Sequence, residues 1–295
     1  MIFSVIIPTY NRRELLLRTL ASVWAQRFTN FEVIVVDDGS TDGTPECLRA
    51  QAPRARVIRQ DNRGQGVARN LGAHEAAGDY LAFLDSDDLW FPWTLATFAE
   101  VIGRHDAPAI VASRLVEFVD DEEPAAVREE PVEADVFPDY LASSRNGYFV
   151  GGNMLVLRRE EFMRVGGFTD RRVNCEDHDL VLRMGTARGF AQILRPVTLG
   201  WRRHAGGATT DCARSLAGSL HLIDQERRGA YPGGRIREVE RRRIVTLHTR
   251  PVSLSCLRPA CRGESWRLYR SSFSWHVQLG RWKYLLGFPL RALLS

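Results

Sequence analysis

The sequence predicts an α/β fold: a doubly wound, mostly parallel sheet flanked by helices, continued by a helical basic extension. Three observations predict it. Short apolar runs alternate with helical patterns of about 10–15 residues through the first part of the chain. The runs are continuous and rich in β-branched residues, as in strands buried on both faces. Polar clusters follow the runs rather than interrupting them.

FSVIIP (3–8) and FEVIVV (31–36) are the first two strands, with a helix between them whose inner face carries Leu16, Leu20, Val23 and Trp24. Asn11 is placed to cap that helix, with Glu14 three residues on. Thr44-Pro45 reads as a cap followed by proline at the first helical position. ARVIR (55–59) and YLAFLD (80–85) are the third and fourth strands, separated by a helix to about Ala77 that Gly78 stops. A helix from about Pro92 to His105 precedes a fifth strand, PAIVASRLVEFV (108–119). Residues 120–135 hold eight acidic residues and one arginine, the composition of an exposed, mobile insertion. GGNMLVL (151–157) is a further strand, EEFMRVGGF (160–168) a short helix, and EDHDLVLRMGTARG (176–189) an amphipathic helix with Leu180, Leu182 and Met184 inward. QILRPVTLGWRRH (192–204) reads as strand, turn, strand. The expected domains are residues 1–210 and a helical basic extension over 211–295.

The chain has 295 residues, 44% of them apolar, enough for a substantial core. Its net charge of +4 conceals an asymmetry: residues 1–199 carry 22 basic and 30 acidic side chains, residues 200–295 carry 18 and 6. The second part therefore suits an anionic neighbour. Five scattered cysteines form neither a disulfide framework nor a zinc site, and fit a reducing, cytoplasmic compartment. No signal sequence and no run of 18 apolar residues is found. The Arg-rich tail carries no nucleic-acid-binding motif, so no nucleic-acid partner is expected.

In an open parallel sheet, ligands bind beyond the carboxyl ends of the strands. Three polar clusters sit there: Pro8-Thr9-Tyr10-Asn11, Asp37-Asp38-Gly39-Ser40 and Asp85-Ser86-Asp87-Asp88. The carboxylates of the third are hard oxygen ligands for Mg²⁺ or Mn²⁺, which keep open positions for substrate phosphates; the plainer alternative is that Asp87 or Asp88 only caps a helix. DDGSTDG is not a calcium loop, because Arg49 falls where a bidentate glutamate is needed. Its carboxylates suit a base or ribose. GQGVARN (64–70) lacks a Walker lysine, but Arg69 matches diphosphate geometry. Glu176 and Asp177 open a helix, where acidic residues are favoured on electrostatic grounds alone; near a metal site, one of them suits a general base. His204 is a candidate metal ligand or a hydrogen-bond donor to phosphate; the plainer alternative is a structural histidine.

SVIIPTYNR, EVIVVDDGSTDGT, GVARNLG, YLAFLDSDD, GGF and CEDHDLVLR, in this order over about residues 2–206, resemble the family 2 inverting glycosyltransferases of GT-A fold. The resemblance implies a donor site in which Pro8, Thr9, Tyr10, Asp37 and Asp38 border the nucleoside, Arg69 the diphosphate, and Asp85 and Ser86 the donor ribose. It implies a Mn²⁺ or Mg²⁺ held by Asp85, Asp87, Asp88 and His204, Asp177 as catalytic base, and Glu176 on the acceptor side. DNRGQG departs from the family's more usual Asn-Gly-Gly loop. The implied donor is a nucleotide-diphosphate-sugar, UDP-sugar foremost, and the implied acceptor a carbohydrate or a lipid-linked one.

Competing readings are a sugar-phosphate nucleotidyltransferase, which wants a Gly-rich basic loop where PTYNRR stands, and a non-catalytic module that binds nucleotide sugar or a partner. The aromatic, basic segment 265–295 is a candidate peripheral membrane contact at the inner face; the plainer alternatives are a helix packed on the catalytic domain or a dimer contact.

Overall fold

The computed structural model describes residues 1–119, 127–204 and 211–294, which fall into two compact units. The first comprises Met1–Pro138, Val150–Asp170 and Ala187–Ala205; the second comprises Asp139–Phe149, Arg171–Thr186 and the chain from Gly206. The second unit thus takes in two segments from the region expected to belong wholly to the first.

The first unit opens with β1 (Phe3–Thr9), α1 (Arg13–Trp24), β2 (Phe31–Asp37), α2 (Thr44–Gln51), β3 (Arg56–Arg59), α3 (Gln65–His74) and β4 (Tyr80–Phe83). These strands are parallel, in the order β3-β2-β1-β4, and every residue of β1 and β4 is buried. The buried apolar runs of the sequence thus fill the centre of the sheet, with Val5, Ile7, Leu16, Leu20, Val33 and Val35 in one core. After β5 (Leu89–Trp90) and α4 (Thr94–Arg104), the expected fifth strand divides at Ser113-Arg114 into β6 (Ile110–Ala112) and β7 (Leu115–Val119), which join different sheets. β8 (Glu133–Phe137) is an edge strand antiparallel to β10 (Phe190–Arg195). The end of the acidic segment thus forms a strand; residues 120–126 lie outside the described residues.

β9 (Leu155–Arg158), followed by α5 (Arg159–Arg164), runs antiparallel between β4 and β6, so the expected strand over 151–157 begins only at Leu155. The eight-stranded order is β3-β2-β1-β4-β9-β6-β10-β8. A second, three-stranded sheet, β5-β11-β7, is completed by β11 (Leu199–Arg203).

The second unit is helical: α6 (Glu176–Arg183), α7 (Cys212–Arg227), α8 (Glu238–Ser255), α9 (Arg262–Gln278) and α10 (Trp282–Leu294). α6 ends at Arg183, short of the expected Gly189, with Leu180, Val181, Leu182 and Met184 buried. Its Asp179 carboxylate accepts from Tyr231 Oη at 3.0 Å and from Arg183 Nε at 2.8 Å, and lies 3.6 Å from His221 Nε2. Burial alone would push this carboxyl up; His221, Arg183 and Tyr231 together overcome it and hold it below its ordinary value. A buried ion pair, Arg241 Nε to Glu226 Oε2 at 2.7 Å, ties α8 to α7. No helix among the described residues is long and apolar enough to cross a membrane.

Candidate active site

In the first unit, Thr9 stands opposite Asp37 in the β1–β2 register, so both strands end level and their loops start side by side. Asp38 N donates to Thr9 O at 2.8 Å. Asn11 adopts φ 51, a left-handed conformation that asparagine tolerates better than most residues. Its backbone N–H donates to Ser40 Oγ at 2.9 Å, and its Oδ1 accepts from Thr41 N at 2.7 Å. Asn11 is therefore a clamp between two loops, not the cap of α1; the cap position belongs to Arg12. The cap of α2 likewise falls one residue before Thr44, at Gly43. Pro8 and Thr9 are buried, while Tyr10 is 46% exposed above the strand ends.

Asp38 organises its neighbourhood. Its Oδ1 accepts from Gln60 Nε2 at 2.6 Å and Arg63 N at 2.8 Å, and its Oδ2 from Gly64 N at 2.8 Å. A carboxylate has about four acceptor positions, so three of them hold Gln60 and the DNRGQG loop that follows it, and about one remains for a ligand. Gly39 allows the crossing: it has φ +85, and a Cβ there would lie 3.0 Å from Asn62 N. Asp37 Oδ1 accepts from Ser40 N at 3.0 Å, and its Oδ2 lies 3.6 Å from Arg59 Nε. Asp37 Oδ2 and Thr9 Oγ1 are buried with no hydrogen-bond partner among the described residues. Buried polar atoms of this kind call for a ligand or water.

β4 delivers the aspartates. Leu84 N donates to Ile6 O at 3.1 Å, and Asp88 N closes a turn onto Asp85 O at 3.2 Å. The turn brings ligand atoms of Asp85, Asp87 and Asp88 within 4.8 Å of one another. Ser86, between them, is buried. The small sheet adds the next layer. β11 pairs antiparallel with β5, Leu199 opposite Trp90 and Gly200 opposite Leu89. Continuing along β11, Arg202 N donates to Asp88 Oδ1 at 2.9 Å and Arg202 Nε to Asp87 O at 2.9 Å. Two residues later on the same side, His204 Nε2 lies 2.8 Å from Asp87 Oδ2.

Asp88 also accepts from Asn153 Nδ2 at 2.5 Å. Burial, then the Asp85 charge, push its carboxyl up to about 7 against the donors Arg202 and Asn153 and the Arg12 charge. Arg12 forms an ion pair with Asp87. Arg69, only 2% exposed, donates to Asp85 Oδ1 at 2.6 Å. Its guanidinium lies over Gly152, where a Cβ would be 3.2 Å from the guanidinium carbon. Three carboxylates form a hard oxygen donor set that fits Mg²⁺ or Mn²⁺, with the His204 imidazole against one of them. Two arginines beside it fit a diphosphate.

The first unit thus unites Thr9, Tyr10, Asp37, Asp38, Arg69, Asp85, Asp87, Asp88 and His204 through contacts or adjacent loops. Sequence reasoning missed Arg12, Asn153 and Arg202. Arg12 stood inside the PTYNRR cluster and was legible there. Asn153 and Arg202 carried no local signal, because partner strands bring them in.

Glu176 and Asp177 belong to the second unit, in the first turn of α6. The residue before them, Cys175, holds φ 71, a conformation rare without glycine and costly for a side-chain-bearing residue. Glu176 is buried, and Asp177 is partly exposed, its Oδ1 accepting from His178 N at 2.7 Å. Burial first, then the Asp177 and Glu176 charges, push the Cys175 thiol up, so it stays protonated. His178 stacks on His248 with ring centroids 3.7 Å apart. Phe149 meets both rings edge-on and is itself exposed.

Comparison with known proteins follows the same outline. The family model described as glycosyl transferase family 2 matches residues 4–169, more than half of the chain. The amylovoran biosynthesis glycosyltransferase AmsB of Erwinia amylovora is 30% identical over 192 residues, 61% of this chain and 63% of its own length. An uncharacterized glycosyltransferase of Nostoc sp. is 42% identical over 112 residues, 37% of this chain and 35% of its own. The chain thus spans about a third to two thirds of these relatives. Among solved structures, S. aureus TarS 1–349 in complex with UDP-GlcNAc superposes with TM-score 0.61 at 18% identity, over 95% of this chain and 92% of that one. The mannosyltransferase PcManGT of Pyrobaculum calidifontis in complex with GDP-Man and Mn²⁺ gives 0.58 at 21%, over 99% and 86%. At these identities the structures show a shared GT-A fold. With the family model covering more than half of the chain, including the loops that carry Asp37, Asp38, Asp85, Asp87 and Asp88, the chain belongs to the family 2 glycosyltransferases.

Proposed function

We propose that the chain is an inverting, metal-dependent, hexosyltransferase-like enzyme that moves a sugar from a nucleotide-diphosphate donor to an acceptor hydroxyl in polysaccharide or glycoconjugate synthesis. The observation that carries this reading is the cluster of Asp85, Asp87 and Asp88 within 4.8 Å, flanked by His204, Arg12 and Arg69. TarS was solved with UDP-GlcNAc and with UDP, and PcManGT with GDP-Man and Mn²⁺, which supports a nucleotide-sugar donor and a divalent ion. A UDP-sugar is the donor proposed first. AmsB, named for amylovoran biosynthesis, supports a polysaccharide context.

In this mechanism Thr9, Tyr10, Asp37 and Asp38 hold the nucleoside, with Thr9 Oγ1 and Asp37 Oδ2, which accept no hydrogen bond from the described residues, as acceptors for it. Asp85, Asp87, Asp88 and His204 would hold a Mn²⁺ or Mg²⁺, whose charge would offset that of the leaving diphosphate. Arg69 and Arg12 place fixed positive charge beside the same oxygens. Asp177 takes the proton from the acceptor hydroxyl as its oxygen attacks the anomeric carbon. The bond from that carbon to the diphosphate oxygen breaks on the opposite face, so configuration inverts and the nucleoside diphosphate leaves. Glu176 borders the acceptor, a carbohydrate or lipid-linked molecule, and the enzyme works in the cytoplasm at the inner face of the membrane.

The test is Asp177→Asn, assayed for transfer from UDP-sugars and for UDP binding with Mn²⁺. A general base contributes roughly 10²–10⁴ in rate, so turnover falls on that scale while nucleotide binding is kept. Near-normal turnover removes Asp177 from the role.

A further inference from the structure

α10 is apolar on two sides, and only one side is covered. Tyr284, Leu285, Phe288 and Ala292 pack with Leu257 and Tyr269 in a separate small core. The Phe288 ring stacks on Tyr269 at 4.4 Å and meets Trp266 edge-on at 5.1 Å. This face fixes the helix and accounts for its buried residues. The other face carries Trp282, Leu286, Leu290 and Leu293, which are 58, 68, 62 and 80% exposed. At 100° per residue these four fall within an arc of about 80°, one continuous stripe along the helix. A water-facing stripe of this composition marks an interaction surface rather than a scatter of surface apolar residues.

We infer that this stripe is a docking surface for an anionic lipid bilayer, on which α10 lies in the plane of the interface. Charge selects the partner. α10 contains no acidic residue; its exposed Lys283 falls about 20° beyond the stripe, and its exposed Arg291 lies further round the helix, about 100° from the stripe's edge. Over 262–294 the chain carries six basic residues and one acidic. A second copy of the chain fits less well, because a two-fold contact through this face sets the same basic residues against each other without a counter-charge. A bilayer with anionic headgroups offers both the apolar layer and the opposite charge, and tryptophan favours that interface. Thirteen residues extend about 20 Å, too short for a hydrocarbon core of about 30 Å, so the helix lies on the membrane and does not cross it.

The inference deepens the placement of the enzyme at a membrane face, and stands independently of the roles given to Asp177 and the aspartate cluster. The test floats the full chain with phosphatidylcholine vesicles, with and without phosphatidylglycerol, beside the Leu286→Glu/Leu290→Glu double variant. Both substituted positions are exposed, and an unchanged melting temperature and UDP–Mn²⁺ binding confirm that the variant folds. The wild type is expected to float with the anionic vesicles only, to detach as salt rises, and to show a blue shift of tryptophan emission. The double variant loses about 100-fold in partitioning. Wild-type protein left at the bottom of the gradient, or equal flotation of the two proteins, overturns the inference. So does a wild-type dimer that the double variant converts to monomer while neither floats, which assigns the stripe to a second copy.

Discussion

Replacing Asp38 by asparagine separates a ligand contact from a loop-organising role. The carboxylate accepts three hydrogen bonds, from Gln60 Nε2, Arg63 N and Gly64 N. An asparagine Oδ1 turned toward Gln60 and Arg63 sets its NH₂ against Gly64 N, donor to donor. Turned the other way, it loses the Arg63 N–H instead. In both orientations at least one backbone donor loses a charged acceptor. A hydrogen bond to a charged group is worth about 1.5–3 kcal/mol, and the lower end applies because Arg63 is exposed and water reaches the loop. A loss of about 2 kcal/mol lowers the melting temperature by about 4–8 °C for a unit of this size. Calorimetry without ligand measures that loss, and titration with UDP and Mn²⁺ measures the binding defect that accompanies it. An unchanged melting temperature alongside weakened UDP binding refutes the reasoning, since Asp38 would then act on the ligand alone.

Asp87→Ala removes the carboxylate that faces both Arg12 and His204, and Mn²⁺-dependent UDP affinity measured by isothermal titration is expected to fall at least tenfold. Arg241→Met strands the buried Glu226 carboxylate; the variant is expected to lose about 3–5 kcal/mol in urea unfolding, and adding Glu226→Leu should restore much of it. Asp179 is held below its ordinary carboxylate value in the folded protein. Its contribution is therefore full above the unfolded value of about 3.9 and is lost as pH falls through the lower folded value. The stability gap between wild type and Asp179→Asn should narrow below about pH 4; a gap independent of pH contradicts the assignment.

The central sheet and the polar rim at its strand ends were largely legible in the sequence. β1, β2 and β4 are buried apolar runs, and a polar cluster at the end of such a run has only one place to go in a parallel sheet. Asp38, Asp85, Asp87 and Asp88 therefore reveal themselves by position; the roles proposed for Asp177 and His204 come from the family motifs. Where local rules failed, a tertiary contact had taken over. Asn11 was available to cap α1 but is drawn into a left-handed turn by Ser40 and Thr41. The run over 108–119 has the composition of one strand and becomes two, because β6 pairs with β9 and β10 while β7 pairs with β11.

By itself the sequence determined which segments are buried, which carboxylates follow them and which half of the chain is basic, since hydrophobic period, strand length and charge are all local quantities. Tertiary structure alone decided that β11 sets Arg202 and His204 against Asp88 and Asp87, that Asn153 reaches Asp88 from 65 residues away, and that 139–149 and 171–186 join the helical unit. It also decided which side of α10 is covered. Composition marks both faces of that helix as apolar, and only packing against Tyr269 and Leu257 leaves Trp282, Leu286, Leu290 and Leu293 outside. Pairings between distant segments are set by the summed fit of whole elements, and no short window of sequence contains that sum.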